Sequence, residues 1–497
     1  MANDNLYARF ESRFAAAGGR TALRSADGRT QLSYAALDPA VSRYANALVT
    51  LGVEAGDRVT VQVEKSIANV LLYLAVLKLG AVYQPLNTGY TDAELDYFIG
   101  DAEPKVIVCD PVRQQAARML ADRHKVFAVV NLDRNGAGSL ATLAAQMDER
   151  HDTVERGAGD LAGLLYTSGT TGHSKGAMIS HGNLASNAAA LVNLWRITEK
   201  DVLLHALPVF HVHGLYVALN TAFLAGAQII WFDRFDAAAV IAALPQATLM
   251  MGVPTFYTRL LASADFSKET CRAMRLFISG SAPLLAETHQ QFEARTGHAI
   301  LERYGMTETG MITSNPYDGA RVPGTVGFAL PDVSVRIRGG QPGVIELKGP
   351  NVFKGYWRMP EKTSDEFTDD GYFITGDVGT IDAEGRVSIV GRAKDLIISG
   401  GFNVYPKEIE AVLDGLPGVG ESAVVGVPHP DFGEGVIAVI TANGALAPEP
   451  EIIATLAGQL ARFKVPKRIF VAGELPRNAM GKVQKAELRK TYGGTFT

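Results

Sequence analysis

Residues 166–176, with the sequence YTSGTTGHSKG, have the residue types of a phosphate-binding loop. Glycines let a turn present its backbone N–H groups to phosphate oxygens, and hydroxyl side chains can add further hydrogen bonds. A lysine near the end of the segment supplies a positive charge. The candidate phosphate ligands are Thr167, Ser168, Gly169, Thr170, Thr171 and Lys175. The segment follows an apolar run at residues 161–165 that predicts a β-strand.

This loop differs from the phosphate loop of the P-loop NTPases. Counting from Gly169, Ser174 stands where the second glycine of that motif belongs, and Gly176 stands where Ser or Thr should follow the lysine. A solvated surface loop is the alternative, because such loops are also rich in Ser, Thr and Gly. Taken alone, the segment leaves both interpretations open.

Five further segments, taken with this loop, resemble the adenylate-forming acyl-CoA synthetases, and the resemblance covers essentially the whole chain. The segments are SGSAP at 279–283, LERYGMTET at 301–309, ITGDVG at 374–379, GRAKD at 391–395 and LPRNAMGKVQK at 475–485. The family usually has a proline before the loop lysine, whereas this chain has His173 and Ser174. We expect that departure to affect the rate, not the class of reaction. The resemblance implies an enzyme that uses ATP to convert a carboxylic acid to its acyl-AMP and then passes the acyl group to coenzyme A.

The same resemblance assigns nucleotide contacts to the later motifs. Tyr304 would stack on adenine, Thr307 would bond the α-phosphate, and Glu308 would hold Mg²⁺, which prefers carboxylate and phosphate oxygens. Asp377 would accept both ribose hydroxyls, since a carboxylate can accept two hydrogen bonds, and Arg392 would donate to the same sugar. The other expected nucleotide contacts are Ser279, Gly280, Ser281, Glu302, Arg303 and Gly305.

Two lysines receive roles in the change between the half-reactions. Lys482 matches the family lysine that reaches the active site during adenylation, where it would offset the charge that builds on the α-phosphoryl group. Lys394 matches the hinge about which a small C-terminal domain would rotate. Without the family, a lysine near a C-terminus or in an exposed turn is most simply a solvated side chain.

The acid is expected to be malonate, because further segments resemble malonyl-CoA synthetases within this family. These segments are GVPTFYTRLL, LFISGSAPLLAETH, GPNVFKGYWRMPEK and GGFNVYPKEIE. The second carboxylate of malonate needs a cationic partner when buried. Arg259, one helical turn past Thr255, is the candidate partner, and Met306 is a further expected acyl contact. The alternative for Arg259 is a solvent-facing position on its helix.

His211 and His213 form an HxH pair that could suggest zinc, but two histidines without a third ligand are weak support for a metal site. By resemblance, His211 would lie where the acyl pocket meets the channel for the pantetheine arm of CoA. There it would orient the substrate or control entry of the thiol.

Three alternatives remain. The enzyme could load a carrier protein instead of CoA, although no appended carrier domain is recognisable. It could activate methylmalonate, acetate, propionate or a longer acid, with Arg259 then only structural. A sensor of acyl nucleotides without catalysis is disfavoured by the presence of Lys175, Glu308 and Lys482.

The elements expected to position these residues alternate between strands and helices. Alternation of Val59, Val61 and Val63 predicts a strand, residues 67–79 predict a buried helix, and residues 106–109 predict a second strand. Thr91 and Glu94 form a capping box that opens another helix. This order predicts an α/β fold with parallel-rich sheets flanked by helices, in two or three subdomains.

From Gly391 the sequence concentrates glycine, charged residues and turn-forming residues, which predicts a domain boundary. We expect a large domain at 1–393 and a small α+β domain at 394–497 on a hinge. In the small domain, Pro406 begins a helix with Ile409, Val412 and Leu413 on one face. Strands are expected at 423–427 and 468–471, and a helix at 452–460.

Composition is that of a globular protein, with 47% hydrophobic and 20% charged residues. A net charge of -5 gives no basic footprint for nucleic acid. Cys109 and Cys271 are too far apart for a CxxC site, which favours a reducing, cytoplasmic location. The N-terminal residues lack the basic start and apolar run of a signal peptide, and Lys78 interrupts the most apolar helix, so we expect no export and no membrane span.

Overall fold

Two sheets of mostly parallel strands form the centre of the larger part of the chain. The computed structural model describes residues 3–167, 174–399, 402–460, 462–478 and 481–496. The first sheet has six strands, parallel except for the last, which pairs antiparallel. In spatial order its strands are Ala128–Asn131, Val106–Cys109, Arg58–Gln62, Val82–Pro85, Leu161–Thr167 and Lys175–Ser180.

The second sheet has nine strands, with a parallel centre and antiparallel strands at both edges. In spatial order they are Phe328–Ala329, Gly310–Ser314, Leu301–Met306, Leu276–Ser279, Leu249–Gly252, Val202–His205, Gln228–Trp231, Thr21–Ser25 and Gln31–Ser33. One large cluster of buried side chains draws on both sheets and the helices between them. The predicted α/β architecture with parallel-rich sheets is confirmed.

Two smaller sheets follow. A four-stranded antiparallel sheet consists of Ser334–Arg338, Gly343–Lys348, Phe373–Ile381 and Val387–Arg392. The last sheet consists of Phe402–Val404, Ile397–Ser399, Gly433–Ala442 and Val419–His429, with Arg468–Ala472 parallel to Gly433–Ala442. The apolar clusters around this last sheet contain only residues from 397 onward. The small α+β unit therefore has its own core.

Helices cover the faces of these sheets. The described α-helices are Leu6–Ala17, Tyr34–Thr50, Ile67–Lys78, Asp92–Ala102, Gln114–His124, Ser139–Ala144, His181–Leu194, Asn220–Ala225, Ala237–Ala243, Pro254–Leu261, Ala286–Thr296, Pro360–Asp365, Pro406–Asp414, Glu449–Ala457 and Lys485–Tyr492. A π-helical segment, His213–Leu219, precedes Asn220–Ala225, and short 3₁₀ turns lie at Pro111–Arg113, Leu244–Gln246 and Ala393–Asp395. Among the described helices, none is both long and apolar enough to cross a membrane.

Local sequence signals account for several helix boundaries. Thr91 and Glu94 make the predicted capping box, with the Thr91 side chain accepting from the Glu94 backbone and the Glu94 side chain accepting in return. Helix Ile67–Lys78 begins at the Ser66 cap. Lys78 is buried at its end, and its ammonium pairs with Asp38 at 2.7 Å and Glu11 at 3.0 Å. These acids compensate the charge that interrupts the apolar helix.

Candidate active site

Three neighbouring parallel strands of the nine-stranded sheet end at one edge. Leu249–Gly252, Leu276–Ser279 and Leu301–Met306 pair in order, so the segments that follow them lie close together. Such an edge, outside the carboxyl ends of parallel strands, is the usual ligand crevice of α/β sheets. A register shift between Tyr304 and Gly305 marks a bulge at the end of the third strand. Bulges re-aim side chains next to active sites, and Met306, Thr307 and Glu308 follow this one.

Arg303 is the unusual charge at this edge. Its side chain is buried, and its Nε and Nη2 have no hydrogen-bond partner among the described residues. Burial lowers the pKa of its guanidinium to about 9. Ser279 Oγ and His213 Nε2 are also buried without a described partner. A buried cation with unused donors is costly unless an anion joins it, so this cluster has the chemistry of an anion site.

The SGSAP turn contacts the histidine segment beside Arg303. Ser281 has a positive φ of 70°, which is unusual for a residue other than glycine. Its Oγ lies 3.2 Å from Nδ1 of His213, and the backbone N–H of His213 donates to His211 Nδ1 at 3.3 Å. Burial, then the charges of Arg303 and Lys482, lower the pKa of His211 to about 4, so its imidazole is neutral at pH 7. No group of three or more potential metal ligands occurs among the described His, Cys, Asp and Glu residues.

The expected ribose residues come from adjacent strands of the four-stranded sheet. Asp377 and Arg392 are register partners, and Arg392 Nε lies 2.7 Å from Asp377 Oδ1. The other oxygen, Oδ2, accepts from the Tyr304 hydroxyl at 2.5 Å. Burial and the neighbouring Asp377 carboxylate raise the pKa of Tyr304, so that hydroxyl remains a donor. The structure therefore brings these three residues of separate motifs into one contact set.

A second chain of contacts links the expected metal and phosphate residues. Tyr356 donates its hydroxyl to Glu308 Oε1 at 3.0 Å, and Lys175 Nζ lies 4.0 Å from the centre of the Tyr356 ring. The same ammonium forms an ion pair with Glu366 Oε1 at 2.9 Å. Glu308 is buried, and burial raises its pKa above the ordinary value. The sequence interpretation missed Tyr356 and Glu366, although Tyr356 lies within a segment used for the family resemblance.

Lys482 approaches this cleft from the small domain. Gly481, with a φ of 74°, packs beside Thr255, since a Cβ built on it would lie 3.6 Å from Thr255 Oγ1. The Lys482 side chain is exposed. Partial withdrawal of its ammonium from bulk water, followed by repulsion from Arg392 and Lys394, lowers its pKa to about 8.

The remaining predicted hinge and nucleotide residues differ in how far they are buried. Lys394 is exposed in the 3₁₀ turn Ala393–Asp395. Thr167 pairs with Lys175, and its Oγ1 donates to the Lys175 carbonyl at 3.4 Å. Glu302 is buried, and its pKa is raised to about 7 by burial. Predicted ligands outside the described residues are Ser168, Gly169, Thr170 and Thr171.

Arg259, unlike Arg303, is exposed. It lies on helix Pro254–Leu261 and lines a cavity of about 300 Å³. The lining of that cavity includes Val209 and Phe210, next to His211. A second cavity, of about 680 Å³, shares Lys65 and Arg234 with the first. Its wall also contains Arg113 and Arg134.

Comparisons with known proteins agree with this architecture. Residues 10–357 match the AMP-binding enzyme family, and residues 408–482 match the AMP-binding enzyme C-terminal domain. A feruloyl-CoA synthase of Amycolatopsis sp is 36% identical over 479 residues, which cover 94% of this chain and 95% of that protein. A malonate–CoA ligase of Arabidopsis thaliana is 36% identical over 456 residues, covering 83% of this chain and 74% of the relative.

A solved structure matches over the full length. ATP-bound MatB from Rhodopseudomonas palustris is 55% identical with a TM-score of 0.97, and the match covers 100% of both chains. The apo form of the same protein gives a TM-score of 0.86. The relative placement of elements is thus nearer to the ATP-bound form. With the family matches spanning both parts of the chain, this protein belongs to the AMP-binding enzyme family.

Proposed function

We propose that the protein is an ATP-dependent malonyl-CoA synthetase, which forms malonyl-AMP and then malonyl-CoA, AMP and pyrophosphate. Membership of the AMP-binding enzymes supports the adenylating chemistry. The malonate–CoA ligase among its relatives supports malonate as the acid. The feruloyl-CoA synthase is equally identical to this chain, so the percentage of identity alone does not identify the acid. The observation that carries the choice is the buried guanidinium of Arg303, whose Nε and Nη2 have no described partner and whose charge acts on His211, an expected acyl contact.

Arg303, which the family resemblance assigned to the nucleotide, is instead our candidate partner for the second carboxylate. A dicarboxylate brings one carboxylate to ATP and buries another, which needs a charged hydrogen-bond partner. Arg303 offers two unused donors; Ser279 ends the neighbouring strand, and His213, whose pKa is lowered by burial and then by the Arg303 charge, begins the π-helical segment. Arg259 is exposed and lines the cavity of about 300 Å³, whose lining does not include Arg303. We therefore favour Arg303 over Arg259 for this role.

In the first half-reaction, an oxygen of the malonate carboxylate attacks the α-phosphorus of ATP, and pyrophosphate leaves. Lys482 would offset the negative charge that develops between the carboxylate and the α-phosphoryl group. Thr307 would donate to the α-phosphate, and Asp377 with Arg392 would hold the ribose. Positioning of the two reactants and neutralisation of charge would supply most of the acceleration.

Glu308 has the chemistry expected for a magnesium ligand. It is a buried carboxylate that accepts from the Tyr356 hydroxyl, and no dedicated cluster of acids accompanies it among the described residues. Mg²⁺ commonly takes one or two protein carboxylates together with substrate phosphates and water. Glu308 would hold the ion, which would neutralise phosphate charge when bound.

The second half-reaction needs a path for the CoA thiol. The two adjoining cavities extend from Phe210, next to His211, to a wall that carries Lys65, Arg113, Arg134 and Arg234. The second cavity also carries Asp27, Glu64, Asp110 and Asp233, so its lining has no overall positive charge. What supports a path for an elongated thiol is the continuity of the two cavities up to the residues next to His211. The thiol would attack the acyl carbonyl of malonyl-AMP and expel AMP. Neutral His211 would lie where the thiol meets the acyl group.

The domain boundary near residues 393 and 394, with Lys394 as hinge, stays part of the proposal. It is supported by the separate apolar core from residue 397 onward and by the exposed turn Ala393–Asp395 before it. Rotation there would withdraw Lys482 and admit the thiol.

AMP formation from MgATP with malonate, methylmalonate or acetate, each with and without CoA, tests the function. CoA-dependent turnover with malonate and little with acetate is expected. Equal turnover with acetate would reject the dicarboxylate site, and transfer to a separate carrier protein in place of CoA would identify the other acceptor. A lack of AMP formation with every acid would reject the synthetase assignment.

A further inference from the structure

Glu366 makes a contact that the proposed reaction does not explain. It lies directly after helix Pro360–Asp365, and its Oε1 is 2.9 Å from the Lys175 ammonium. Lys175 lies at the end of the predicted phosphate loop, on strand Lys175–Ser180. The expected phosphate-binding lysine is thus paired with a carboxylate of the chain itself.

The surroundings of this ion pair make it more than a solvated surface contact. The side chains of Lys175 and Glu366 are only 18% and 26% exposed, so water screens their attraction less than at an open surface. Lys175 also lies against the ring of Tyr356, whose hydroxyl donates to Glu308. One ammonium is therefore fixed by Glu366 and by the aromatic ring that contacts the expected magnesium ligand.

We propose that Glu366 is a positioning residue that competes with the nucleotide phosphates for Lys175. An ammonium has three donor hydrogens, and a carboxylate that occupies one of them also cancels much of its charge. Glu366 thereby keeps Lys175 in place and limits how tightly it holds a phosphate chain. This would assist release of pyrophosphate after adenylation. The inference rests on the proposed function, because it takes Lys175 as a phosphate ligand.

The test compares binding of MgATP, without acid, and inhibition by magnesium pyrophosphate in wild type and Glu366→Gln. Both affinities should rise about 3- to 10-fold in the variant, the effect expected when a partly exposed ion pair that competes with phosphate is lost. The same substitution on a Lys175→Met background should have little effect, because the residue would act through that lysine. A merely structural role would not produce this dependence on Lys175.

Asp365→Asn is the matched control. It removes the same charge one residue away, from a side chain that pairs with Lys362 at 3.3 Å and does not contact Lys175. An equal gain in phosphate affinity in Asp365→Asn would overturn the proposal, since the effect would then be general electrostatics. Unchanged or weaker affinity in Glu366→Gln would also overturn it. The comparison of Glu366→Gln with Asp365→Asn tests the proposal even if Lys175→Met binds MgATP and pyrophosphate too weakly to measure.

Failure of this proposal is distinguishable from failure of the proposed function. A wild-type protein that forms no AMP with any acid rejects the synthetase itself. A wild-type protein that forms AMP, with a Glu366→Gln variant of unchanged pyrophosphate inhibition, rejects only the role of Glu366. Thermal unfolding of both single variants checks that the substitutions leave the fold intact.

Discussion

The guanidinium of Arg303 occupies the space that a side chain at position 280 would need. A Cβ built on Gly280 would lie 2.3 Å from Arg303 Nη1 and 2.4 Å from Cζ. Distances below about 3 Å between such atoms are not tolerated, so one group must move. Glycine at 280 is therefore a condition for the buried position of Arg303, and the two residues form one structural unit at the end of adjacent strands.

Replacing Gly280 by alanine should displace Arg303 and weaken malonate binding. We expect kcat/KM for malonate to fall about 10-fold or more, because a charged hydrogen bond to the second carboxylate loses its geometry. The KM for ATP should change much less. Steady-state kinetics with each substrate varied in turn measure the difference.

Gly473→Ala is a suitable control, because a Cβ there meets no atom within 4 Å and its φ is not in the left-handed region. It should leave malonate kinetics unchanged. A Gly280→Ala enzyme with normal malonate kinetics would show that the position of Arg303 is not needed for the acid.

Arg303→Met should separate substrate choice from catalysis. Loss of a bidentate or charge-assisted contact of about 1.5–3 kcal/mol predicts a decrease of roughly 10- to 150-fold in kcat/KM for malonate. Acetate, which has no second carboxylate, should lose little. The measurement is AMP formation with each acid in Arg303→Met and in Arg259→Met.

The stability of the same variants provides an independent readout. Replacement of a buried cation without a described partner by an apolar side chain is commonly neutral or stabilising. Arg303→Met should therefore keep or raise Tm without ligand, and malonate should no longer stabilise it. A larger loss of malonate activity in Arg259→Met than in Arg303→Met would instead favour the original candidate.

Local signals in the sequence predicted the elements better than the contacts between them. The capping box at Thr91 and the helix from Ile67 were predictable, because caps and apolar spacing depend on residues close in the chain. The helix expected at 452–460 lies at Glu449–Ala457, a shift typical of helix ends. The antiparallel four-stranded sheet was not predicted, although it carries Asp377 and Arg392.

The site was predictable only where a motif carried it. Glu366 lies 191 residues from Lys175, and no local pattern marks that pair. Arg303 Nε and Nη2 lack hydrogen-bond partners among the described residues because of the side chains that surround them where three strands meet. Those side chains come from separate parts of the chain, so no local sequence pattern predicts this. Sequence reasoning therefore predicted a set of nucleotide residues that included Arg303, and it selected for the acid Arg259, which is exposed. Both assignments stay predictions.

The pH dependence of adenylation should reflect Lys482. Its pKa of about 8 lies below the ordinary value for lysine, so the ammonium is present below pH 8 and is lost as pH rises through that value. We expect kcat/KM for pyrophosphate formation to decline above pH 8, approaching 10-fold per pH unit. Lys482→Arg should be slower but should not show this decline, since a guanidinium stays protonated there.

Lys485→Arg is the matched control for that experiment. Lys485 lies three residues further along the same segment and pairs with Glu410 at 2.5 Å, away from the reacting groups. It should keep the wild-type profile. A decline with the same midpoint in Lys482→Arg would assign the titration to another group.

Glu302 should make stability depend on pH. Burial raises the pKa of its carboxyl to about 7, with Gly324 N–H and the charge of Lys407 only partly opposing this. A carboxyl whose pKa is higher in the folded than in the unfolded chain favours folding while protonated. That advantage is lost as pH rises from about 4.5 through 7, because the folded chain must then bury a carboxylate. Glu302→Gln, which stays neutral, should thus exceed wild type in stability at pH 8 by on the order of 1–3 kcal/mol and match it near pH 4.

Thermal unfolding of wild type and Glu302→Gln across pH 4–8 measures this difference. Asp414 has a pKa that burial also raises to about 7, but it is present in both proteins and cancels in the comparison. The gap in Tm should widen between about pH 4.5 and 7 and level off above that. A gap that is constant across the range would mean that the Glu302 carboxyl titrates alike in the folded and unfolded chain, and its burial in strand Leu301–Met306 would then carry no proton-linked cost.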